Sequence, residues 1–299
     1  MPNAPLPAPE EVLAWTPADI DAALARWERQ IPVRPPLFEL ESPPAKSALV
    51  FGDTHGDWRS TIELLDRYER APEGTWLVGL GDYVDRAPSD APGGSAVNLV
   101  LLFEACARAP ERIVLLQGNH ETARRIPVFP ETLPDELEAL WGPSPARLNR
   151  FRSLLERGPL AATTTSGAYL AHAGFPRGDV RNARAAFSAP SPAALTEIVW
   201  AECGASSIRR GAATPFDERD LTDWLRRIGA TVFLRGHDPD LTGRSVYGDR
   251  CLTLHTTRIF ERYGGVLLAH LPLDRRIDSV RDVPLEHLPS EGRRWSSVP

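Results

Sequence analysis

Ala48-Leu49-Val50-Phe51-Gly52-Asp53-Thr54-His55-Gly56 decides the reading of this chain. Four apolar residues fit a buried strand. The Gly-Asp-Thr-His-Gly that follows is turn chemistry carrying a carboxylate and an imidazole two residues apart. The same grammar recurs four times. Trp76-Leu77-Val78-Gly79-Leu80 precedes Gly81-Asp82-Tyr83-Val84-Asp85-Arg86, and Ile113-Val114-Leu115-Leu116 precedes Gly118-Asn119-His120-Glu121. Tyr169-Leu170-Ala171 precedes His172-Ala173-Gly174, and Thr231-Val232-Phe233-Leu234 precedes Arg235-Gly236-His237. Carboxylate, imidazole and amide groups therefore gather at strand ends, where open α/β sheets bind ligands. A mixed oxygen and nitrogen set suits a borderline divalent metal such as Mn, Fe or Zn.

The chain has 299 residues, of which 42% are hydrophobic and 25% charged, which is ordinary for a globular protein. Length alone allows about two domains. The motifs overrule that, because one site draws on both halves of the chain. The expected organisation is an N-terminal tail and helical annex over 1–45, an α/β domain over 46–275 and a C-terminal tail over 276–299. Net charge is −6 and no long basic run exists, so no nucleic-acid partner is expected. Cys106, Cys203 and Cys251 form no CxxC pair, and reduced thiols in a cytosolic protein are expected. No phosphate-binding loop surrounds any of them, as a cysteine-nucleophile phosphatase would need. The opening Met1-Pro2-Asn3-Ala4-Pro5 lacks a basic region followed by an apolar core. No run approaches the roughly 18 apolar residues of a membrane span. A cytoplasmic location without a membrane partner is the expectation.

Thr16-Pro17 predicts a helix start, with Thr16 as N-cap and Ile20, Leu24 and Trp27 on one apolar face. Strands at 48–52, 76–80 and 113–117 alternate with helices at about 58–70 and 95–108. In the first of these helices Ile62, Leu65 and Tyr68 are expected to face inward. A short acidic helix, Asp135 to Leu140, and another at about 147–156 follow. Later strands are expected near 159–163, 169–171, 231–235, 244–247, 250–255 and 265–270, with a helix from Asp217 to Ile228 and a loop with short helix from Phe175 to Ser207. Repeated βα units indicate a layered α/β fold.

These five motifs, in this order, resemble those of the phosphoprotein phosphatases, the serine/threonine phosphatases among the calcineurin-like metallophosphoesterases. The match runs from about Leu37 to about Leu268. The approach segment Leu37-Phe38-Glu39-Leu40-Glu41-Ser42-Pro43 also resembles the family's Leu-Leu-Glu-Leu-Glu-Ala-Pro stretch. The resemblance implies two mixed β-sheets packed as a sandwich and flanked by helices, with the site at the C-terminal strand ends. It implies two divalent ions, with Mn²⁺ expected and Fe or Zn as alternatives. Asp53, His55 and Asp82 would hold one; Asp82, Asn119, His172 and His237 the other, with Asp82 bridging. His120 would be the general acid, oriented by Asp85. Arg86 and Arg210 would grip the phosphate, beside Asn119. The implied reaction is hydrolysis of a phosphomonoester by direct attack of a metal-activated water, most simply on phosphoserine or phosphothreonine in proteins. The expected partner is thus a phosphorylated protein or small phosphoester.

The chain departs from the family pattern in places. Ala87 follows Arg86 where glycine is usual, which raises the question of whether alanine can adopt the local backbone. Leu252 to Phe260 lacks the Ala-Pro-Asn-Tyr signature, putting an aromatic lid in question. Arg209 competes with Arg210 for the second phosphate contact. Glu121 reads either as an acceptor for nearby donors or as half of a salt bridge. His255 reads as a residue of the site rim, and His270 and His287 as structural or surface residues. Two rival functions share or borrow the fold: a dinucleoside polyphosphate hydrolase or other small-molecule phosphoesterase, and a binding module that has lost catalysis.

Overall fold

Alternation along each strand builds the architecture. The computed structural model describes residues 5–41, 46–177 and 182–288. The Ser42-Pro43-Pro44 turn, part of the 178–207 loop and the end of the C-terminal tail lie outside the described residues. In chain order the helices are α1 (Pro9–Leu13), α2 (Pro17–Gln30), α3 (Trp58–Glu69), α4 (Gly94–Arg108), α5 (Leu133–Trp141), α6 (Pro145–Leu155), α7 (Pro192–Trp200) and α8 (Glu218–Ile228). The strands are β1 (Leu37–Leu40), β2 (Ser47–Phe51), β3 (Trp76–Gly79), β4 (Ile113–Leu115), β5 (Ala161–Thr164) and β6 (Ala168–Ala171), then β7 (Val232–Arg235), β8 (Ser245–Val246), β9 (Cys251–Thr253), β10 (Leu267–Pro272) and β11 (Leu285–His287).

The strands form two sheets, ordered β1-β5-β6-β7-β9-β8 and β11-β10-β2-β3-β4. Successive strand residues point to opposite faces. Val50, Val78, Leu170, Leu234 and Ala269 pack between the sheets, while their neighbours Phe51, Leu77 and Leu268 face α1–α6. Tyr169 and Phe233 turn the other way, onto the layer that contains α7 and α8. Helices therefore cover both outer faces of a two-sheet sandwich. β2, β3 and β4 run parallel in one sheet, and β6, β7 and β9 in the other. Their C-terminal ends meet along one edge.

Local chemistry explains the element boundaries. Thr16 Oγ1 accepts from the Asp19 amide, and Asp19 returns the bond to the Thr16 amide, so α2 opens on a capping box with Pro17 in its first turn. Trp27, fully buried, packs its ring against Phe103 of α4 and Phe151 of α6. Truncating such a ring to alanine costs about 3–5 kcal/mol. α8 closes on Gly229 in the left-handed conformation.

Two expectations are corrected. Ile62 is exposed, because Trp58, Thr61, Leu64 and Leu65 form the inward face of α3; the face follows the larger apolar set. The stretch past 275 is not wholly peripheral, since β11 pairs with β10 and Leu288 joins the core. Among the described residues, no helix is long and apolar enough to cross a membrane.

Candidate metal centre

Each sequence motif sits just beyond one of the parallel strands. Asp53 and His55 follow β2, Asp82 follows β3, Asn119 and His120 follow β4, His172 follows β6 and His237 follows β7. The turns that aim them are strained. Seven described non-glycine residues have positive φ, and five of them are here: His55 (45°), Asp82 (56°), Asp85 (65°), Arg86 (59°) and His237 (72°). Such backbone costs of order 1–3 kcal/mol per residue and persists where surrounding structure over-determines it. Ala87 is not among the seven. Its methyl lies where Cβ atoms added at Gly56 or Gly94 would collide, at 2.8 and 2.5 Å, so the glycines accommodate the alanine. Gly236 is needed for a similar reason, since a Cβ there would meet Asp53 Oδ1 at 2.1 Å.

The imidazoles are anchored from behind. His172 Nδ1 lies 3.0 Å from the Leu80 carbonyl, and His55 Nδ1 3.0 Å from the Val84 carbonyl. A carbonyl only accepts, so each ring places its proton on Nδ1 and a lone pair on Nε2 when neutral. His172 Nε2 then faces Asn119 Oδ1 at 2.9 Å, His237 Nδ1 at 3.2 Å and Asp82 Oδ2 at 3.4 Å. Asn119 Oδ1 is also 3.2 Å from His237 Nδ1. Neutral His172 Nε2, Asn119 Oδ1 and Asp82 Oδ2 are all acceptors, so their convergence suits a shared proton or a cation, with His237 Nδ1 donating or accepting according to its tautomer. Burial works against charging His172, but Asp82 and then Asp53 outweigh it, and its pKa is pushed up to about 9. A divalent cation competes for that same lone pair. The other rings stay neutral: burial lowers His55 to about 4, and burial with Arg210 holds His237 well below the usual range. Asp82 is held well below the usual carboxylate range because His172 and His120 together outweigh its burial.

Among the described residues two compact ligand trios emerge: Asp82, His172 and His237, and His55, Asp82 and His120, each with its donor atoms within 4.8 Å of one another. Asp82 belongs to both. Asp53 belongs to neither, although its Oδ2 is 3.8 Å from His55 Nε2. Carboxylate, amide and imidazole donors of this kind suit divalent ions, and Asp82 is common to both trios.

His120 is set apart by its partner. Its Nδ1 is 2.5 Å from Asp85 Oδ2, while Asp85 Oδ1 accepts from the amides of Thr132 and Leu133 at 2.6 and 2.8 Å. Its Nε2 is buried, has no hydrogen-bond partner and lies 3.9 Å from Asp82 Oδ2. Burial disfavours the charged ring, but Asp82 and Asp85 more than offset it, so the His120 pKa is raised. Glu121 resolves in favour of hydrogen bonding: its carboxylate accepts from the amides of Asp82, Tyr83 and Gly118 at 2.7–2.9 Å.

The arginines differ. Arg86 is part-exposed beside the site, with Nη2 3.4 Å from the Phe129 carbonyl. Arg210 reaches the His237 carbonyl at 3.0 Å and Asp238 Oδ1 at 3.2 Å, next to the proposed ligands. Arg209 turns away, to the carbonyls of Ile208 and Gly204. Sequence reasoning missed the support beneath these groups. Buried Arg235 ties Asp238 at 2.5 Å to the carbonyls of Ala173 and Ala201, and Arg258 caps the fully buried Asp57 at 2.7 Å. It also missed Phe260, whose ring edge-packs against His55 at 5.7 Å and His255 at 5.0 Å. An aromatic ring therefore stands beside the site without the Ala-Pro-Asn-Tyr signature. The only sequence signal for these was adjacency: Arg235 and Asp238 flank Gly236-His237.

Known proteins resemble this chain in sequence and in fold. A family model described as calcineurin-like phosphoesterase matches residues 47–241, more than half of the chain. A serine/threonine-protein phosphatase of Caenorhabditis elegans is 26% identical over 216 residues, covering 69% of this chain but only 45% of that relative. A solved serine/threonine phosphatase from Saccharomyces cerevisiae, described as similar to human phosphatase PP5, superposes with a TM-score of 0.68 at 21% identity, covering 96% of this chain and 92% of that one. A cold-active protein-tyrosine phosphatase of a psychrophilic Shewanella species gives 0.56 at 15% identity, covering 86% and 83%. At those identities the two structures speak to the fold alone.

Proposed function

The chain belongs to the calcineurin-like phosphoesterase family, and from that premise we propose that this hydrolase is a dinuclear metal-dependent phosphatase acting on phosphoserine and phosphothreonine in proteins. The observation that carries the reading is the meeting, at one buried point, of the Asp82, Asn119, His172 and His237 donor atoms with the His120–Asp85 pair. Asp53, His55 and Asp82 would hold one ion; Asp82, Asn119, His172 and His237 the other. When bound, such ions supply Lewis-acid polarisation of a phosphoryl oxygen and a lowered pKa for a coordinated water. Mn²⁺ is the expected native ion, with Fe or Zn as alternatives.

The chain's own residues supply the rest. His120 delivers a proton from Nε2 to the leaving oxygen, which a seryl alkoxide needs because it leaves poorly unprotonated. Asp85, itself fixed by two backbone amides, orients that ring and favours its charged form. Arg86 offers a planar fork to the phosphate oxygens. Arg210 adds a second cation from the loop between α7 and α8, beside His237. Glu121 fixes the backbone of the Asp82 turn through its amide contacts. The approach segment Glu39-Leu40-Glu41 and the C. elegans relative favour protein substrates over nucleotides. A cytoplasmic location stays the expectation set by the three cysteines, which form no CxxC pair in the sequence.

The test is a substrate panel with purified protein and added Mn²⁺. It compares phosphoserine, phosphothreonine and phosphotyrosine peptides, a dinucleoside tetraphosphate and p-nitrophenyl phosphate. The seryl and threonyl peptides should show the highest kcat/KM, with activity abolished by chelation and restored by Mn²⁺. Preference for the dinucleoside substrate would replace the reading with its main rival. No turnover on any substrate, with no bound metal, would leave a phosphatase-like binding module.

A further inference from the structure

A sixth strand end points into the same site, and no motif announced it. His255 follows β9, which runs parallel to β7, and its backbone bridges to Asp53. Its ring is fully buried. Nδ1 lies 2.9 Å from Thr242 Oγ1, and that hydroxyl donates to the Pro239 carbonyl at 2.6 Å. Because Thr242 has spent its only proton on Pro239, it can only accept from His255. The ring proton therefore sits on Nδ1, and a neutral ring turns a bare lone pair outward at Nε2. That Nε2 has no hydrogen-bond partner, and it faces Asp53 Oδ2 at 3.3 Å.

This repeats the construction of His55. There too Nδ1 is tied to an acceptor, the Val84 carbonyl, and Nε2 faces Asp53 Oδ2, at 3.8 Å. Two rings thus present lone pairs to one carboxylate oxygen, and Phe260 packs edge-on against both. A ring anchored at Nδ1 with Nε2 free is the usual preparation of a metal-binding histidine. On the strength of the metal centre proposed above, we infer that His255 is a further ligand, through Nε2, of the cation held by Asp53 and His55. Asp53 and His255 both stand outside the two compact trios; Asp53 Oδ2 lies between the two imidazoles, 3.3 Å from His255 Nε2 and 3.8 Å from His55 Nε2, and a shared ion would draw the three together. The added nitrogen favours Zn, Co or Fe over Mg or Ca at this position, because imidazole suits those metals better than oxygen-only sites do. The competing account is purely structural: a ring carrying both protons that pairs with Asp53 and binds nothing.

The experiment uses the full chain with histidine labelled in the spin-half nitrogen isotope, stripped of metal and reloaded with a spin-half cadmium isotope. Direct cadmium–nitrogen coupling should appear at Nε2 of His255, identified by its loss in His255→Phe, alongside couplings from His55, His172 and His237. Couplings at those three with none at His255 would overturn the inference and leave the proposed metal centre standing. No coupling at any histidine would instead defeat the metal centre itself. Zn²⁺ affinity gives a second reading, by competition with a chromophoric chelator. His255→Phe should weaken one of two ions by about 10–100-fold and leave the other unchanged. Thr242→Val, which removes the Nδ1 acceptor together with the hydroxyl's own bond to the Pro239 carbonyl, covers the case in which the phenylalanine variant does not fold, and should weaken the same ion by less. Wild-type affinity for both ions in the folded variants would overturn the inference.

Discussion

Replacing His120 by asparagine should damage turnover in proportion to how badly the leaving group needs a proton. The ring is buried, its Nδ1 is 2.5 Å from Asp85, and its Nε2 is unpartnered at the site. General-acid catalysis contributes about 10²–10⁴-fold, or about 2.7–5.5 kcal/mol of barrier. His120→Asn should lose that much on a phosphoserine peptide and less than about tenfold on p-nitrophenyl phosphate, whose phenolate leaves with little help. Asp85→Asn should show the same bias more weakly. It removes one hydrogen bond to a charged group, worth about 1.5–3 kcal/mol. The asparagine oxygen can still accept from Thr132 and Leu133, turning its amide nitrogen toward His120. The ring then loses its negative partner and holds its proton less tightly, so the alkaline limb of kcat should move to lower pH. The assay is steady-state kinetics on both substrates, under conditions where viscosity shows chemistry to be limiting, with metal content measured in parallel. Equal losses on the two substrates would refute the role of His120 as acid and leave it a binding or structural one.

Other outcomes follow from the same geometry. Asp82→Asn should abolish activity and remove most bound metal, because Asp82 alone belongs to both ligand trios; full occupancy with near-normal turnover would contradict a bridging role. Arg86→Ala should weaken inhibition by inorganic phosphate about 10-fold or more, the worth of a charge-assisted contact, while metal content stays at the wild-type level. Arg210→Ala should act in the same direction and Arg209→Ala should not, since Arg209 is turned to the Ile208 and Gly204 carbonyls. For chelated protein, His172 sets the sign of a pH effect. Its folded pKa of about 9 lies above the usual histidine value, so its contribution is complete below about pH 6.5 and is lost as pH rises toward 9. Thermal melts should therefore show the chelated protein losing stability across that window. Metal affinity should rise over the same range as the cation displaces the proton. A flat melting temperature with pH-independent affinity would contradict the His172 assignment.

Much of the fold was legible because strand alternation and the Gly-Asp, Gly-Asn-His and Gly-His turns are local signals. Phe51 and Val50 part company to opposite faces of β2 as a period of two requires. The ordered motifs also named the side chains that the fold gathers at one edge. What escaped was decided by tertiary contact. Ile62 kept the helical spacing of a core residue and still faces solvent, because Trp58, Leu64 and Leu65 outweigh it. β11 is three residues long with a charged centre, and only its partner β10 makes it a strand. His255-Thr256-Thr257 carries no motif, and its importance rests on Thr242 and Asp53, both distant in sequence. Arg210 is named by its place before Gly211, but that it turns to Asp238 and the His237 carbonyl while Arg209 turns to Ile208 and Gly204 is a matter of tertiary contact that spacing does not encode.

The most direct test of the account is anomalous scattering from crystals of the protein grown with Mn²⁺. The account predicts two manganese peaks sharing the Asp82 carboxylate, one against Asp53 and His55 and the other against Asn119, His172 and His237. A single peak, or a pair of which neither touches Asp82, would contradict it.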